Sequence, residues 1–144
     1  MPALIILAAA TLATHGAPPD PPCRDDSTPG VERCLGERLA AADTDLARYV
    51  AAARARLTAD SREDEGAARA LKGFDAAERS WAAYRKAECG AVYEAWSGGT
   101  IRGAEGLLCE LRLTRLHTHT IWTEWLTYMD STPPILPEPP VAPE

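Results

Sequence analysis

The chain contains no proline between Gly30 and Thr132, although it has twelve prolines in all. Because proline breaks helix interiors, its absence there permits long helices. The prolines gather at the two edges and predict a proline-rich N-terminal segment at residues 17–30 and a proline-rich, flexible tail at residues 131–144. Such segments sample extended, polyproline-like conformations.

The chain also lacks an excess of basic residues. It has 15 Lys and Arg against 21 Asp and Glu, which gives a formal net charge of -6. Nucleic acids and anionic membranes are bound mainly through surplus Lys and Arg, so neither is a predicted partner. The charge favours a basic protein partner, and 46% hydrophobic residues indicate one ordinary globular domain.

Long hydrophobic runs are missing apart from Ala3 to Ala13, which is too short to span a bilayer but suits the core of a secretory signal. Thr14 and Gly16 occupy the required small-residue positions if residues 1–16 are the signal peptide. The first residues contain no Lys or Arg, which leaves a buried N-terminal helix as the alternative. No Leu-x-x-Cys lipidation box precedes Cys23, so the expected product is periplasmic or secreted, without stable membrane insertion.

Catalytic and metal-binding patterns are absent as well. There is no Cys-x-x-Cys, and no close Cys and His cluster has zinc spacing. His117 and His119 are two residues apart and point to opposite sides of a helix, so they cannot easily chelate one ion. No Ser or Cys nucleophile has a paired His and acid at motif spacing. We therefore predict no catalytic residue, metal or cofactor, and a protein that is not an enzyme.

Four cysteines remain, an even number that predicts two disulfides in a short exported chain. Cys34 lies as far before the break near Ser61 as Cys89 lies after it, and Cys89 and Cys109 are about equally far from a glycine turn. In antiparallel helices such residues share one level, and Cys23 can reach the same end. Cys23–Cys34 with Cys89–Cys109 is the preferred pairing, while Cys34 facing Cys89 stays open.

Apolar residues recur at steps of three and four along three segments, the spacing of buried helical stripes. The stripe of the first segment is Leu35, Leu39, Ala42, Leu46, Tyr49 or Val50, Ala53 and Leu57, and that of the second is Leu71, Phe74, Ala77, Trp81, Tyr84, Glu88, Val92 and Trp96. The first helix is expected from Thr28 as N-cap, with Pro29 at its first position, to a break near Asp60. The second follows an acidic run, and the third runs from Thr100 as N-cap to about Met129. The predicted fold is all-α: residues 31–130 form an antiparallel bundle of three long helices, stapled by disulfides and flanked by flexible termini.

Two groups of residues are candidates for a binding surface. Trp81, Tyr84, Arg85 and Glu88 lie at helical spacings and form one connected face. This face is either a recognition patch or a structural cluster in which Arg85 and Glu88 satisfy each other at the helix interface.

The second group is the turn Ser97-Gly98-Gly99-Thr100. Gly98 is available for a left-handed helix cap, and Thr100 for the next N-cap. The turn is either a plain helix connection or an exposed, protruding loop of the kind that plugs clefts.

Four sequence motifs together resemble those of the lysozyme-inhibitor LprI-like proteins, a family of exported bacterial domains. The first motif is Cys34 followed by Asp43, Leu46 and Tyr49, and the second is Trp81, Tyr84, Arg85, Glu88 and Cys89. The third is the turn Gly98-Gly99-Thr100-Ile101, and the fourth is Cys109 followed by Leu113-Thr114. The resemblance covers roughly Cys23 to Trp122. Two positions depart from it: Lys86 stands where the family usually has Asp, and His117 where it usually has Arg.

The resemblance implies an exported helical protein, and inhibition of lysozyme in at least one relative. The first hypothesis is therefore a binding protein that inhibits a basic lysozyme, or a similar glycan-cleaving enzyme, by occluding its cleft. The alternative is a non-catalytic envelope interaction or scaffold protein. The sequence leaves the target and the oligomeric state open.

Overall fold

The computed structural model describes residues 20–140, so the predicted signal peptide at residues 1–16 lies outside the described residues, as do residues 17–19 and 141–144. Three helices follow one another, α1 (Thr28–Asp60), α2 (Glu65–Ala95) and α3 (Arg102–Ile121). A π-helical turn, Trp122–Leu126, continues α3. No strand occurs in the described part of the chain. The predicted all-α bundle of three long helices is confirmed.

Short connections make successive helices antiparallel, so α1 and α3 begin at the same end. Gly103, at the start of α3, lies so close to Glu32 of α1 that a Cβ atom on this glycine would overlap the Glu32 carboxylate. Between residues 20 and 140, no helix is long and apolar enough to cross a bilayer.

The predicted N-caps of the first and third helices are each displaced by one residue. Ser27, rather than Thr28, is the N-cap of α1, and its hydroxyl accepts a hydrogen bond from the backbone N–H of Gly30. Asp64 caps α2 in the same way through the N–H of Gly66. Thr100 does not cap α3, which begins at Arg102 without a side-chain cap. Ser27 and Asp64 are the N-cap residues because their side-chain oxygens accept hydrogen bonds from free backbone N–H groups of the first turn.

The core is built around α1. Every position of its predicted stripe is buried: Leu35, Leu39, Ala42, Leu46, Tyr49, Ala53 and Leu57. By contrast, α2 has only Phe74 and Cys89 buried, and its predicted stripe members Ala77, Tyr84 and Trp96 are exposed. The α2 stripe prediction is thus wrong at these positions, because α2 packs on the other two helices through a narrower face.

Both predicted disulfides are present. Cys23 is bonded to Cys34 with their Cα atoms 6.0 Å apart, and Cys89 is bonded to Cys109 with their Cα atoms 5.5 Å apart. The preferred pairing is confirmed, and the alternative of Cys34 facing Cys89 is excluded.

The third helix ends earlier than the expected Met129. After the π-helical turn the backbone becomes extended at Thr127. Arg56 of α1 explains this end: its Nη1 donates to the carbonyl oxygens of Trp125, at 2.7 Å, and of Thr127, at 3.2 Å. Its guanidinium also lies over the Tyr128 ring. These contacts satisfy carbonyls that a continuing helix would have bonded internally.

The chain then turns back onto the bundle, which differs over residues 131–140 from the flexible tail that the composition predicts. Trp122 Nε1 donates to the Leu136 carbonyl at 2.9 Å, and the Tyr49 hydroxyl donates to the Pro137 carbonyl at 2.6 Å. Pro139 is buried. A proline-rich segment has few N–H groups but keeps its carbonyls, which suits it to accept hydrogen bonds from these side chains.

Replacing Tyr49 with phenylalanine is expected to lower the free energy of unfolding by about 1 kcal/mol, because one hydrogen bond to the tail is lost while the buried ring is kept. Urea denaturation measures the change. Tyr93→Phe is the matched control, since the Tyr93 hydroxyl forms no hydrogen bond within residues 20–140, and it should change stability by less than about 0.5 kcal/mol. Equal effects of the two substitutions would show that the contact with Pro137 contributes nothing.

Candidate functional site

The first candidate face contains an arginine that ties the three helices together. Arg85 of α2 donates from Nη1 to Asp43 Oδ1 of α1 at 2.5 Å and to Thr114 Oγ1 of α3 at 2.6 Å. Thr114 is fully buried, and its hydroxyl donates in turn to the Glu110 carbonyl at 2.8 Å. The contacts leave 23% of the Arg85 side chain and 43% of the Asp43 side chain exposed. One guanidinium thus bridges α1 and α3.

Trp81 extends this network by one helical turn. The Arg85 guanidinium lies 5.0 Å from the centroid of the Trp81 ring, an attractive cation–π geometry. Trp81 also stacks on His117 of α3, with the ring centroids 4.1 Å apart and the planes inclined by 9°. His117 Nε2 lies 2.9 Å from Glu78 Oε1, and both side chains are only 15% exposed. Sequence reasoning missed this Glu78–His117 pair.

The four residues of the predicted face therefore have different environments. Trp81 and Arg85 are partly buried at the helix interface, whereas Tyr84 is 52% exposed and Glu88 is exposed. The expected pair between Arg85 and Glu88 is wrong, because Asp43 and Thr114 of the neighbouring helices are the partners of Arg85. What remains on the surface is a tyrosine and a carboxylate.

Residues from three of the motifs that carry the family resemblance contact one another in this network. Asp43 belongs to the motif on α1, Trp81 and Arg85 to the motif on α2, and Thr114 to the motif that contains Cys109 on α3. His117, one of the two departures from the family pattern, occupies the space beside Trp81 and pairs with Glu78. The motif residues Asp43, Arg85 and Thr114 thus form contacts between helices in this protein.

The glycine turn is exposed at the end of the α2–α3 hairpin. Ser97, Gly98, Gly99 and Thr100 are all exposed, between Trp96, 45% exposed, and Ile101, 41% exposed. Hydrogen bonds from Ser97 N to the Glu94 carbonyl, 3.0 Å, and from Gly99 N to the Trp96 carbonyl, 2.9 Å, close the turn. No described residue has a positive φ, so the expected left-handed cap at Gly98 is wrong.

This turn belongs to the disulfide end, by which we mean residues 23–34 and 89–109. Cys89–Cys109 braces the hairpin behind the turn, and Cys23–Cys34 fastens the N-terminal segment to α1. A groove of about 620 Å³ opens between the turn and the starts of α1 and α3. Its lining includes Glu32, Tyr93, Ser97, Thr100 and Arg102. The end of the bundle therefore combines a turn without large side chains with a polar groove.

Acidic side chains outnumber basic ones at the disulfide end: Asp25, Asp26, Glu32, Glu94 and Glu105 stand against Arg24, Arg33 and Arg102. Hydrogen bonds from the side chain and backbone of Ser27 hold the pKa of the Asp25 carboxyl below its usual value. Asp25 is thus ionised at neutral pH, and this end carries a net negative charge.

Two further arginines, Arg38 of α1 and Arg115 of α3, lie close to the carboxylate of Asp20. Asp20 Oδ2 accepts from Arg115 Nη2 at 2.7 Å and lies 3.9 Å from Arg38 Nη1. Arg38 also donates to the Pro21 carbonyl. These contacts hold the segment before Cys23 against the bundle. The helical spacing of charged residues could not predict these ion pairs, because Asp20 lies outside every helix.

Within residues 20–140 no cluster of three or more potential metal ligands occurs. His117 contacts Trp81 and Glu78, whereas His119 lies beside Glu138 of the tail, 3.3 Å from its Oε1. The two histidines thus face different neighbours, as their spacing predicts.

Comparison with known proteins yields one assignment. No curated protein and no solved structure matches the chain significantly. The family model described as "Lysozyme inhibitor LprI" matches residues 23–120, which begin at the first disulfide cysteine and end within the last turn of α3. This match spans more than half of the chain, and the chain belongs to the lysozyme inhibitor LprI family.

Proposed function

We propose that this protein acts outside the reducing cytosol as an inhibitor of a basic lysozyme, or of a similar glycan-cleaving enzyme, without catalytic activity of its own. The family supports inhibition, and two disulfides favour an oxidising compartment such as the periplasm or the cell exterior. Export by residues 1–16 stays a prediction that agrees with this location.

The observation that carries the proposal is the exposed turn from Ser97 to Thr100. Two adjacent glycines make its tip narrow, and the disulfide Cys89–Cys109 fixes the hairpin behind it. A binding loop that is already rigid loses less conformational entropy when it docks. Trp96 and Ile101 flank the tip and are available for apolar contacts, of the kind that dominate binding energy at interfaces. We propose that this tip enters the cleft of the enzyme.

The charge of the disulfide end supports the same partner. An acidic surface speeds the encounter with a basic enzyme and favours the correct orientation. Salt screens such attraction, with a Debye length of about 8 Å at physiological ionic strength. Inhibition should therefore weaken as the salt concentration rises.

The test is lysozyme turnover on a cell-wall suspension, with the protein purified after export and natural processing. Gly98→Trp is expected to raise the inhibition constant at least tenfold, a loss of about 1.4 kcal/mol, because a bulky ring blocks entry of a narrow tip. The fold should tolerate the change, since a Cβ at Gly98 meets nothing within 4 Å and its φ is not positive.

Gly73→Trp is the matched control. Gly73 is exposed on α2, and a Cβ there also meets nothing within 4 Å, but this position is not part of the disulfide end. It should inhibit as well as the unmodified protein. An unmodified protein that leaves turnover unchanged at micromolar excess and low salt would refute inhibition and favour the envelope scaffold, which should retain an endogenous partner in pull-downs. Full inhibition by Gly98→Trp would instead reject the tip as the occluding element.

A further inference from the structure

The outward face of α3 carries an ordered stripe of apolar and charged residues. Ile101, Leu108 and Leu116 are 41%, 44% and 46% exposed. Glu105 and Arg112 lie between them, and Arg112 is exposed. Successive members are three or four residues apart, so Glu105, Leu108, Arg112 and Leu116 share one side of α3. Ile101 is the N-cap residue directly before them. The opposite side supplies the core through Ala104, Leu111, Thr114, Thr118 and Ile121.

The order of residues in this α3 stripe is complementary to that of a second, antiparallel copy of the same stripe. From the N-terminus it reads apolar, acidic, apolar, basic, apolar; from the C-terminus the acid and the base exchange places. If two copies lie antiparallel with a two-fold axis near Leu108, Ile101 of one copy faces Leu116 of the other, and Glu105 faces Arg112. Each of these pairs occurs twice, as two-fold symmetry requires.

The charges of the α3 stripe have no ion-pair partner among residues 20–140. In the described part of the chain, neither Glu105 nor Arg112 forms an ion pair within 4.0 Å. They are seven residues apart on one helix, about 10 Å along its axis, and so cannot pair with each other. A second copy would bring a partner to both charges at once.

We propose that this face of α3 binds the same face of a second copy of the chain. Three exposed aliphatic side chains supply the apolar contact, and two symmetry-related Glu105–Arg112 pairs fix the antiparallel register. The stripe is about 22 Å long, from Ile101 to Leu116. A single helix pair of this length buries less than the roughly 800 Å² per partner of a standard interface, so the dimer is weak and its dissociation constant is micromolar.

Self-association by α3 shares Ile101 with the proposed inhibitory tip, but its test by sedimentation does not depend on inhibition. The stripe begins at Ile101, which flanks the glycine turn, but the turn itself lies beyond the paired segment. Glu138 of the described tail lies beside His119 of α3, and Ile101, Leu108, Arg112 and Leu116 of the stripe stay exposed.

Sedimentation of the processed protein from about 1 µM to about 500 µM tests the proposal. We expect a reversible equilibrium between monomer and dimer. Arg112→Glu places like charges opposite each other twice, as does Glu105→Arg, so each should raise the dissociation constant at least tenfold. The double variant Glu105→Arg/Arg112→Glu restores opposite charges in exchanged positions and should return the constant to within about threefold of the original.

Arg79→Glu and Glu94→Arg are the controls, because they make the same charge changes at exposed positions of α2. They should leave the dissociation constant unchanged, and circular dichroism should show equal helicity for all variants. A monomer at every concentration would overturn the proposal. So would a dimer that both single reversals leave intact, or a double variant that fails to recover association.

Discussion

Replacing Cys89 and Cys109 together with alanine is expected to lower the free energy of unfolding by about 3 kcal/mol. The bond closes a loop with a sequence separation of 20 and so restricts the unfolded chain. Both cysteines are buried, at 2% and 5% exposure, so the substitution also removes packed sulfur atoms from the interface of α2 and α3. Guanidinium denaturation of the processed protein under oxidising conditions measures the difference.

The corresponding variant of Cys23 and Cys34 is the matched comparison. Its loop is shorter, with a separation of 11, and its cysteines are only partly buried. The loss should therefore be smaller by about 0.5 kcal/mol or more. If this variant proved the less stable of the two, the bond between α2 and α3 would not be the main staple of the bundle. The loss of Cys89–Cys109 should also weaken inhibition, because the hairpin behind the glycine turn becomes less rigid.

The cysteine pairing could be predicted because it depends on one-dimensional distances. In antiparallel helices, residues equally far from a turn lie at the same level, and this placed Cys89 beside Cys109. The stripe of α1 was equally readable, since α1 packs on both other helices and shows the full period of a buried face. These features follow from helix geometry and from short connections alone.

Distance from a turn also relates the charged and polar residues of the Arg85 network. Asp43 and Arg85 lie at similar distances from the turn between α1 and α2, and Arg85 and Thr114 from the glycine turn. Their contacts were therefore within reach of the sequence. The pairing of Arg85 with Glu88 was predicted instead, because neighbours on one helix are the easiest partners to see.

The C-terminal segment could not be placed from its sequence. Composition predicts an extended, unstructured tail, yet Tyr49 and Trp122 bind the carbonyls of Pro137 and Leu136. Arg56 ends α3 through the carbonyls of Trp125 and Thr127, far away in the chain. The sequence separations of these partners follow neither the helical period nor equal distances from a turn. Helical stripes and distances from turns therefore cannot predict such contacts. The turn at Gly98 and Gly99 lies between α2 and α3 as the sequence predicts, but it lacks the expected left-handed cap.

Replacing Arg85 with alanine is expected to lower the free energy of unfolding by about 2–3 kcal/mol. The substitution removes the ion pair with Asp43, the hydrogen bond to the buried hydroxyl of Thr114 and the cation–π contact with Trp81. Because Asp43 is 43% exposed, water replaces part of the lost interaction, and the effect stays below that of breaking a fully buried pair. Urea denaturation with two spectroscopic probes measures it.

Tyr84→Ala is the control, since this side chain neighbours Arg85 on α2 but is 52% exposed. It should change stability by less than about 0.5 kcal/mol. A double-mutant cycle with Asp43→Ala should give a coupling energy of about 1 kcal/mol between Asp43 and Arg85, which a residue acting only on a partner would not show.

Inhibition assays on the same variants separate the structural role of Arg85 from a recognition role. Well below its unfolding temperature, Arg85→Ala should retain most inhibition, because its guanidinium points between helices and the disulfide end is intact. A variant as stable as the original protein that had lost inhibition would reverse this assignment. In that case the face from Trp81 to Glu88, and not the glycine turn, would be the surface that meets the enzyme.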